Sequence, residues 1–156
     1  MNETCIFCRI AQSELPAFKL FEDDLVLAFL DLHPIREGHA LIIPKEHHPW
    51  FEDLPEPVAA RIMSTGQRLA RAMKHEWGVE RVAFFFTGIH VAHTHAHVVP
   101  MLHRHDVTSV RYLEDGVEEF SLPPKPEDTA LEQTADRIRA RLARTDEQGG
   151  ARSASD

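Results

Sequence analysis

The chain has 156 residues, 43% of them apolar, and a net charge of −8 with histidines neutral. That is the size of one domain with a real core, and its acidity argues against a nucleic-acid partner, which needs a basic face to match phosphate. No apolar run is long enough to cross a bilayer. The start, Met1-Asn2-Glu3-Thr4, has neither the basic nor the apolar region of a secretory signal. With only two cysteines a disulfide-stapled secreted fold is disfavoured, so the expected compartment is the cytoplasm.

In chain order, Cys5 to Ala11 predicts a short helix with Ile6 and Ile10 on one side, ending before Pro16. Phe18 to Phe21 predicts a strand and Glu22-Asp23-Asp24 a turn. Leu25 to Leu30, short and apolar between acidic residues, predicts a buried strand. Pro34 to Gly38 carries turn chemistry, and His39 to Pro44 reads as a strand built on Leu41, Ile42 and Ile43. Pro55 and Pro57 open a helix that runs to about His75, with Val58, Ile62, Leu69 and Met73 on its buried face and Gly66 as a weak spot. Val82 to Phe86 and Ala92 to Met101 are expected strands. Ser121 to Pro126 holds three prolines and reads as extended, and Glu127 to about Arg144 as a charged helix carrying Leu131, Ile138 and Leu142. The polar stretch from Thr145 to Asp156 is expected to be disordered. Consecutive strands with short loops, broken by one long helix, predict an α+β architecture with an antiparallel meander sheet. The expected organisation is a domain over 1–125, a helical extension over 126–145 and a tail over 146–156.

Of eleven histidines, five fall between His90 and His103. Three alternate in His93-Thr94-His95-Ala96-His97. In an extended strand alternate side chains share a face, with imidazoles about 7 Å apart. Such a row can bind metal, as alternating ligands for zinc, copper or iron. It can equally supply a nucleophile with neighbours that hold the substrate. Spacing alone leaves both open. Cys5 and Cys8 could be a redox pair, half of a zinc site or two buried thiols. His103 and His105 read as a polar strand end, and the acids at Glu114-Asp115 and Glu118-Glu119 as a solvated face.

The surroundings of the histidines resemble the histidine triad family of nucleotide hydrolases and transferases. The resemblance rests on His93-Thr94-His95-Ala96-His97-Val98-Val99-Pro100, on Ala28-Phe29-Leu30-Asp31, on Gly38-His39-Ala40-Leu41-Ile42-Ile43-Pro44-Lys45, and on the N-terminal Cys5-Ile6-Phe7-Cys8-Arg9-Ile10. It covers about residues 4 to 103 in family order. It implies that His95 attacks the α-phosphate of a purine nucleotide or other nucleoside phosphate conjugate, a phosphoramidate or a dinucleoside polyphosphate, forming a nucleotidyl-histidine that water then hydrolyses. His97 and His39 would complete the catalytic set, Asp31 would accept from the ribose, and Phe29, Leu30 and Ile43 would form the base pocket. It further implies a structural zinc held by Cys5, Cys8, His47 and His93, with the adjacent His48 as competing ligand. No catalytic metal is required, and a homodimer is implied. The chain departs from the family upstream of the triad, where Ile89 stands in place of a glutamine and His90 in place of a small hydroxyl residue; His90 could donate to the phosphate instead. Two other classes stay open: a metal-dependent hydrolase using His93, His95 and His97 as ligands, and a nucleotide-binding module with little turnover.

Overall fold

The structure, a computed structural model, describes residues 5–87, 91–103, 106–107 and 124–152. Ile89, His90, His105, the acids at 114–119 and the last residues of the tail lie outside the described residues.

A helix α1 (Ile6–Ala11) precedes three strands, β1 (Lys19–Glu22), β2 (Val26–Leu30) and β3 (Ala40–Pro44). A single 3-10 turn (Phe51–Asp53) leads to the long helix α2 (Glu56–Trp77), then β4 (Arg81–Phe86), β5 (Ala96–Met101) and the C-terminal helix α3 (Asp128–Arg152). All pairings are antiparallel. The sheet order is β1-β2-β3-β5-β4. The first three strands form a meander, while β5 returns inside β4 to pair with β3. This inserts the histidine segment in the middle of the sheet rather than at its edge.

The sheet is covered on both faces, which explains why β2 and β3 are apolar throughout and buried at every position. Val26, Ala28, Leu30, Ala40, Ile42, Ala96 and Val98 face the helix side, where α2 contributes Val58, Ile62, Leu69, Ala72 and Met73. Leu27, Phe29, Leu41 and Ile43 face the other way and pack on Cys5, Phe7, Cys8 and Ile10 of the α1 segment. Each such aliphatic or aromatic side chain removed from water contributes about 1.5–3 kcal/mol, so the central strands lock the register on both sides. Register matters because a one-residue slip would exchange the two faces.

Two glycines mark close approaches. A Cβ on Gly66 would come within 2.5 Å of the Phe84 ring, so the glycine inside α2 lets the helix press onto β4. Gly38 has φ 86° and faces the Trp77 ring at 2.4 Å from an added Cβ. It turns the chain into β3, one residue before His39.

The C-terminal helix joins the same core. Leu131, Ala135, Ile138 and Leu142 form its buried stripe against α2 and the sheet. Polar ties flank them: Arg141 to Glu76 at 2.9 Å, and Arg137 to both Glu76 and Glu37. The helix continues to Arg152, past the end expected near Arg144. Extending an existing helix adds one backbone hydrogen bond per residue fixed, and polar composition alone does not prevent that.

The histidine segment departs from its expected strand. β5 begins only at Ala96, so His97 alone of the three lies in it. The chain before it is held off the ladder by one carbonyl. His48 O accepts from both Thr94 N at 2.7 Å and Thr94 Oγ1 at 2.9 Å. The period-two geometry therefore does not apply to His93 and His95.

Candidate active site and metal cluster

Across the sheet, Phe29, Leu41, His97 and Phe85 form one row, each registered with the next. Phe85 stacks on His97 with centroids 4.8 Å apart and an 8° angle. His95 lies beside them, its centroid 5.0 Å from that of His97, closer than the spacing of alternate residues in a strand. His39 packs on the other side of His97 at 5.1 Å. His39 and His95 are buried, 2% and 7% exposed.

The hydrogen bonds fix which nitrogen of each ring carries the proton. Ile35 N–H donates to His39 Nδ1 at 3.2 Å, so that nitrogen is an acceptor and Nε2 holds the proton. His39 Nε2 then donates to His97 Nδ1 at 2.9 Å. His97 in turn carries its proton on Nε2, which donates to Thr87 Oγ1 at 2.9 Å. His95 is set by a different group: its Nδ1 donates to the His93 carbonyl at 2.7 Å. The lone pair of His95 is thereby left on Nε2, which lies 3.4 Å from Thr87 Oγ1.

Charge follows from burial. Burial pushes His39 down to about 4, helped by repulsion from His95. Burial likewise pushes His97 down to about 3, with His39 and His95 adding to it and Asp31 opposing. Both rings are neutral near pH 7, as the donor chain requires. Asp31 follows β2 directly and is half-buried. One of its oxygens accepts from His33 N at 2.8 Å, and the other lies 3.6 Å from His39 Nδ1. That separation is too long for a hydrogen bond, so among the described residues the second oxygen has no hydrogen-bond donor.

The predicted apolar residues separate. Phe29 and Ile43 lie on the α1 face with Leu41, the same side as His97. Leu30 is on the opposite face, 2% exposed among the residues of α2 and α3. Adjacent strand residues point to opposite faces, so Leu30 does not share a pocket wall with Phe29. His90 lies outside the described residues.

Three contributors were not singled out in the sequence. Phe7 sets its ring edge-on to Phe29, His93 and His95 at 6.0, 5.8 and 5.1 Å; an aromatic between two cysteines is the visible signal. Phe85 underlies His97, and Thr87 ends the aromatic strand with a hydroxyl. Both signals were present in Phe84-Phe85-Phe86-Thr87, but a buried strand alone accounts for such a run.

The third triad residue turns away. His93 is fully buried, its Nε2 donates to Pro44 O at 3.0 Å, and its Nδ1 points at the cysteines. Burial pushes its pKa down to about 4, its bond to Pro44 opposing. Nδ1 lies 3.4 Å from Cys5 Sγ, 3.6 Å from Cys8 Sγ and 3.3 Å from His47 Nδ1, and His47 Nδ1 is 3.3 Å from Cys8 Sγ. All four donor atoms lie within 4.8 Å of one another. A tetrahedral zinc, with bonds of about 2.3 Å to sulfur and 2.0–2.1 Å to nitrogen, sets N···N pairs about 3.3 Å apart and S···N pairs about 3.6 Å apart. The four residues fit that shape, and His47 rather than His48 completes the set. His93, His95 and His97 do not gather as a ligand set among the described residues; His93 and His97 fall in separate clusters.

Comparison with known proteins identifies the family. The HIT domain family matches residues 12–104. The adenosine 5′-monophosphoramidase of Saccharomyces cerevisiae is 42% identical over 101 residues, covering 64% of this chain and 64% of its own length. The adenylylsulfatase of Arabidopsis thaliana is 35% identical over 109 residues, covering 67% of this chain but 55% of its own. The chain thus spans somewhat more than half the length of these two enzymes. Among solved structures, a zinc-bound histidine triad family protein from Mycobacterium smegmatis superposes with a TM-score of 0.72 at 28% identity, covering 93% of this chain and 97% of that one. The fold, the converging imidazoles and the family match together place this chain in the HIT domain family.

Proposed function

We propose that the protein hydrolyses nucleoside phosphate conjugates, adenosine 5′-phosphoramidate among them, through a nucleotidyl group carried on His95. The single observation that carries this reading is the bond from His95 Nδ1 to the His93 carbonyl at 2.7 Å. It fixes the tautomer that leaves Nε2 unprotonated, buried and beside a donor, which is the condition an imidazole nucleophile needs. His95 Nε2 attacks the α-phosphorus and a new N–P bond forms. The bond to the leaving nitrogen breaks, its electron pair departs with that nitrogen, and the nitrogen takes a proton from water. The hydroxide so formed then attacks phosphorus, and the N–P electron pair returns to Nε2.

His97 Nε2–H is the donor to phosphate or leaving group, and His39 holds it in that tautomer. Neutral donors at fixed positions stabilise developing phosphoryl charge without reorganising, so no catalytic metal is required. Asp31 accepts from the ribose, with Phe29 and Ile43 on the side of the base. Cys5, Cys8, His47 and His93 hold one structural zinc. Zinc there would tie the α1 segment to the strand ends and fix the carbonyl on which His95 depends. The wider reading includes a homodimer in the cytoplasm.

The names of the yeast and plant relatives support this substrate class. The test is turnover of adenosine 5′-phosphoramidate by the intact protein and by His95→Ala. Hydrolysis by the intact chain and a loss of at least a hundredfold in the variant are expected. Equal rates in the two would remove His95 from the chemistry.

A further inference from the structure

Thr87 follows the last residue of β4, where Phe86 still pairs with Ala96. Its Oγ1 stands between two imidazoles, 2.9 Å from His97 Nε2 and 3.4 Å from His95 Nε2. The tautomers set the direction of both contacts. His97 donates to Oγ1, so the hydroxyl's own proton is available to the lone pair on His95 Nε2. At 3.4 Å that second contact is long for a bond donated by a hydroxyl. Thr87 covers the nucleophile without holding it tightly.

The position has a consequence for a bound phosphate. A reacting phosphorus must come to about 3–3.5 Å from the attacking nitrogen. Oγ1 already sits at that radius, within reach of the same His97 donor. An incoming phosphoryl group must therefore take over the hydroxyl's contact with Nε2, and its oxygens then lie beside Oγ1. Thr87 is exposed, so its side chain can yield.

We propose that Thr87 is a substrate-positioning residue whose hydroxyl caps His95 in the free protein and donates to the phosphoryl group when a nucleotide conjugate binds. The hydroxyl keeps its proton throughout; only its acceptor changes, from nitrogen to a phosphoryl oxygen. This inference rests on the reading of His95 as the nucleophile.

The test compares Thr87→Val, which keeps the branched shape, with Thr87→Ser, which keeps the hydroxyl. On adenosine 5′-phosphoramidate, Thr87→Val is expected to lower kcat roughly tenfold to a hundredfold, the effect of losing one hydrogen bond to a charged group. KM should move less, and Thr87→Ser should recover to within roughly threefold of the intact protein on the same account. In the free protein, the ¹⁵N shifts of His95 Nε2 and His97 Nε2 should change in Thr87→Val and return in Thr87→Ser. His93 Nε2, held by Pro44, should not move. Intact kcat in Thr87→Val would overturn the proposal while leaving the His95 reading standing. If the intact protein turns over no conjugate, the reading of function fails instead, and the shifts decide on Thr87. Unchanged His95 and His97 signals in Thr87→Val would then refute the cap, and changed signals would uphold it.

Discussion

At the scale of single residues, the site is a statement about where protons sit. His39, His97 and Thr87 form one donor chain starting at Ile35 N–H, and His95 is oriented separately by a carbonyl. The chain works only with neutral rings. That neutrality has a signature in stability. The folded pKa of His39, about 4, lies below the unfolded value of about 6.5. Between those values the unfolded chain binds more protons than the folded one, so stability is complete above about pH 6.5 and falls as the pH drops toward 4. Urea unfolding of the intact protein should show that decline, and His39→Leu should show a shallower one. Identical pH slopes in the two proteins would contradict the assignment of His39 as buried and neutral.

At the scale of elements, the short helix α1 does more than its six residues suggest. It places Cys5 and Cys8 beside His47 and His93 and Phe7 against both His93 and His95. The four-residue cluster and the proposed nucleophile then share one segment, since the His93 ring points at the cysteines and its carbonyl accepts from His95 Nδ1. Purified protein should contain close to one zinc per chain, and Cys5→Ser and His47→Ala should each lose most of it, with a lower melting temperature. Full zinc retention in both variants would refute the ligand set.

These elements were largely legible in the sequence, each for a physical reason. The strands β2 and β3 announced themselves because burial on both faces demands unbroken apolar runs. The buried face of α2 followed from helical spacing, and Gly66, a weak spot by propensity, is accounted for by the Phe84 ring it admits. The start of β5 was not legible. Alternating histidines suggest an extended strand, but Thr94 is captured by the His48 carbonyl from a distant segment, and no local pattern encodes that. Leu30, next to Phe29 in the matched segment, lies on the other face of β2 because neighbouring strand residues alternate. Thr87 and Phe7 meet the histidines only through the fold, since their partners are remote in sequence or reached across a loop.

At the scale of the whole molecule, α2 and α3 share one core on the same face of the sheet. The C-terminal helix shares its buried stripe with α2, and its Thr134 and Arg137 hold Glu37 in the loop that carries His39. Ile138→Ala should therefore cost about 2–5 kcal/mol and lower a single unfolding transition. A separate early transition for the C-terminal helix, with the rest unaffected, would show that the two are independent. The account as a whole turns on one covalent bond. The intact protein should be incubated briefly with adenosine 5′-phosphoramidate labelled with ³²P at phosphorus, quenched in alkaline denaturant, and digested. Label is expected on a single peptide, at His95, and none in His95→Ala. Label at another residue, or label that persists in His95→Ala, would contradict the central claim.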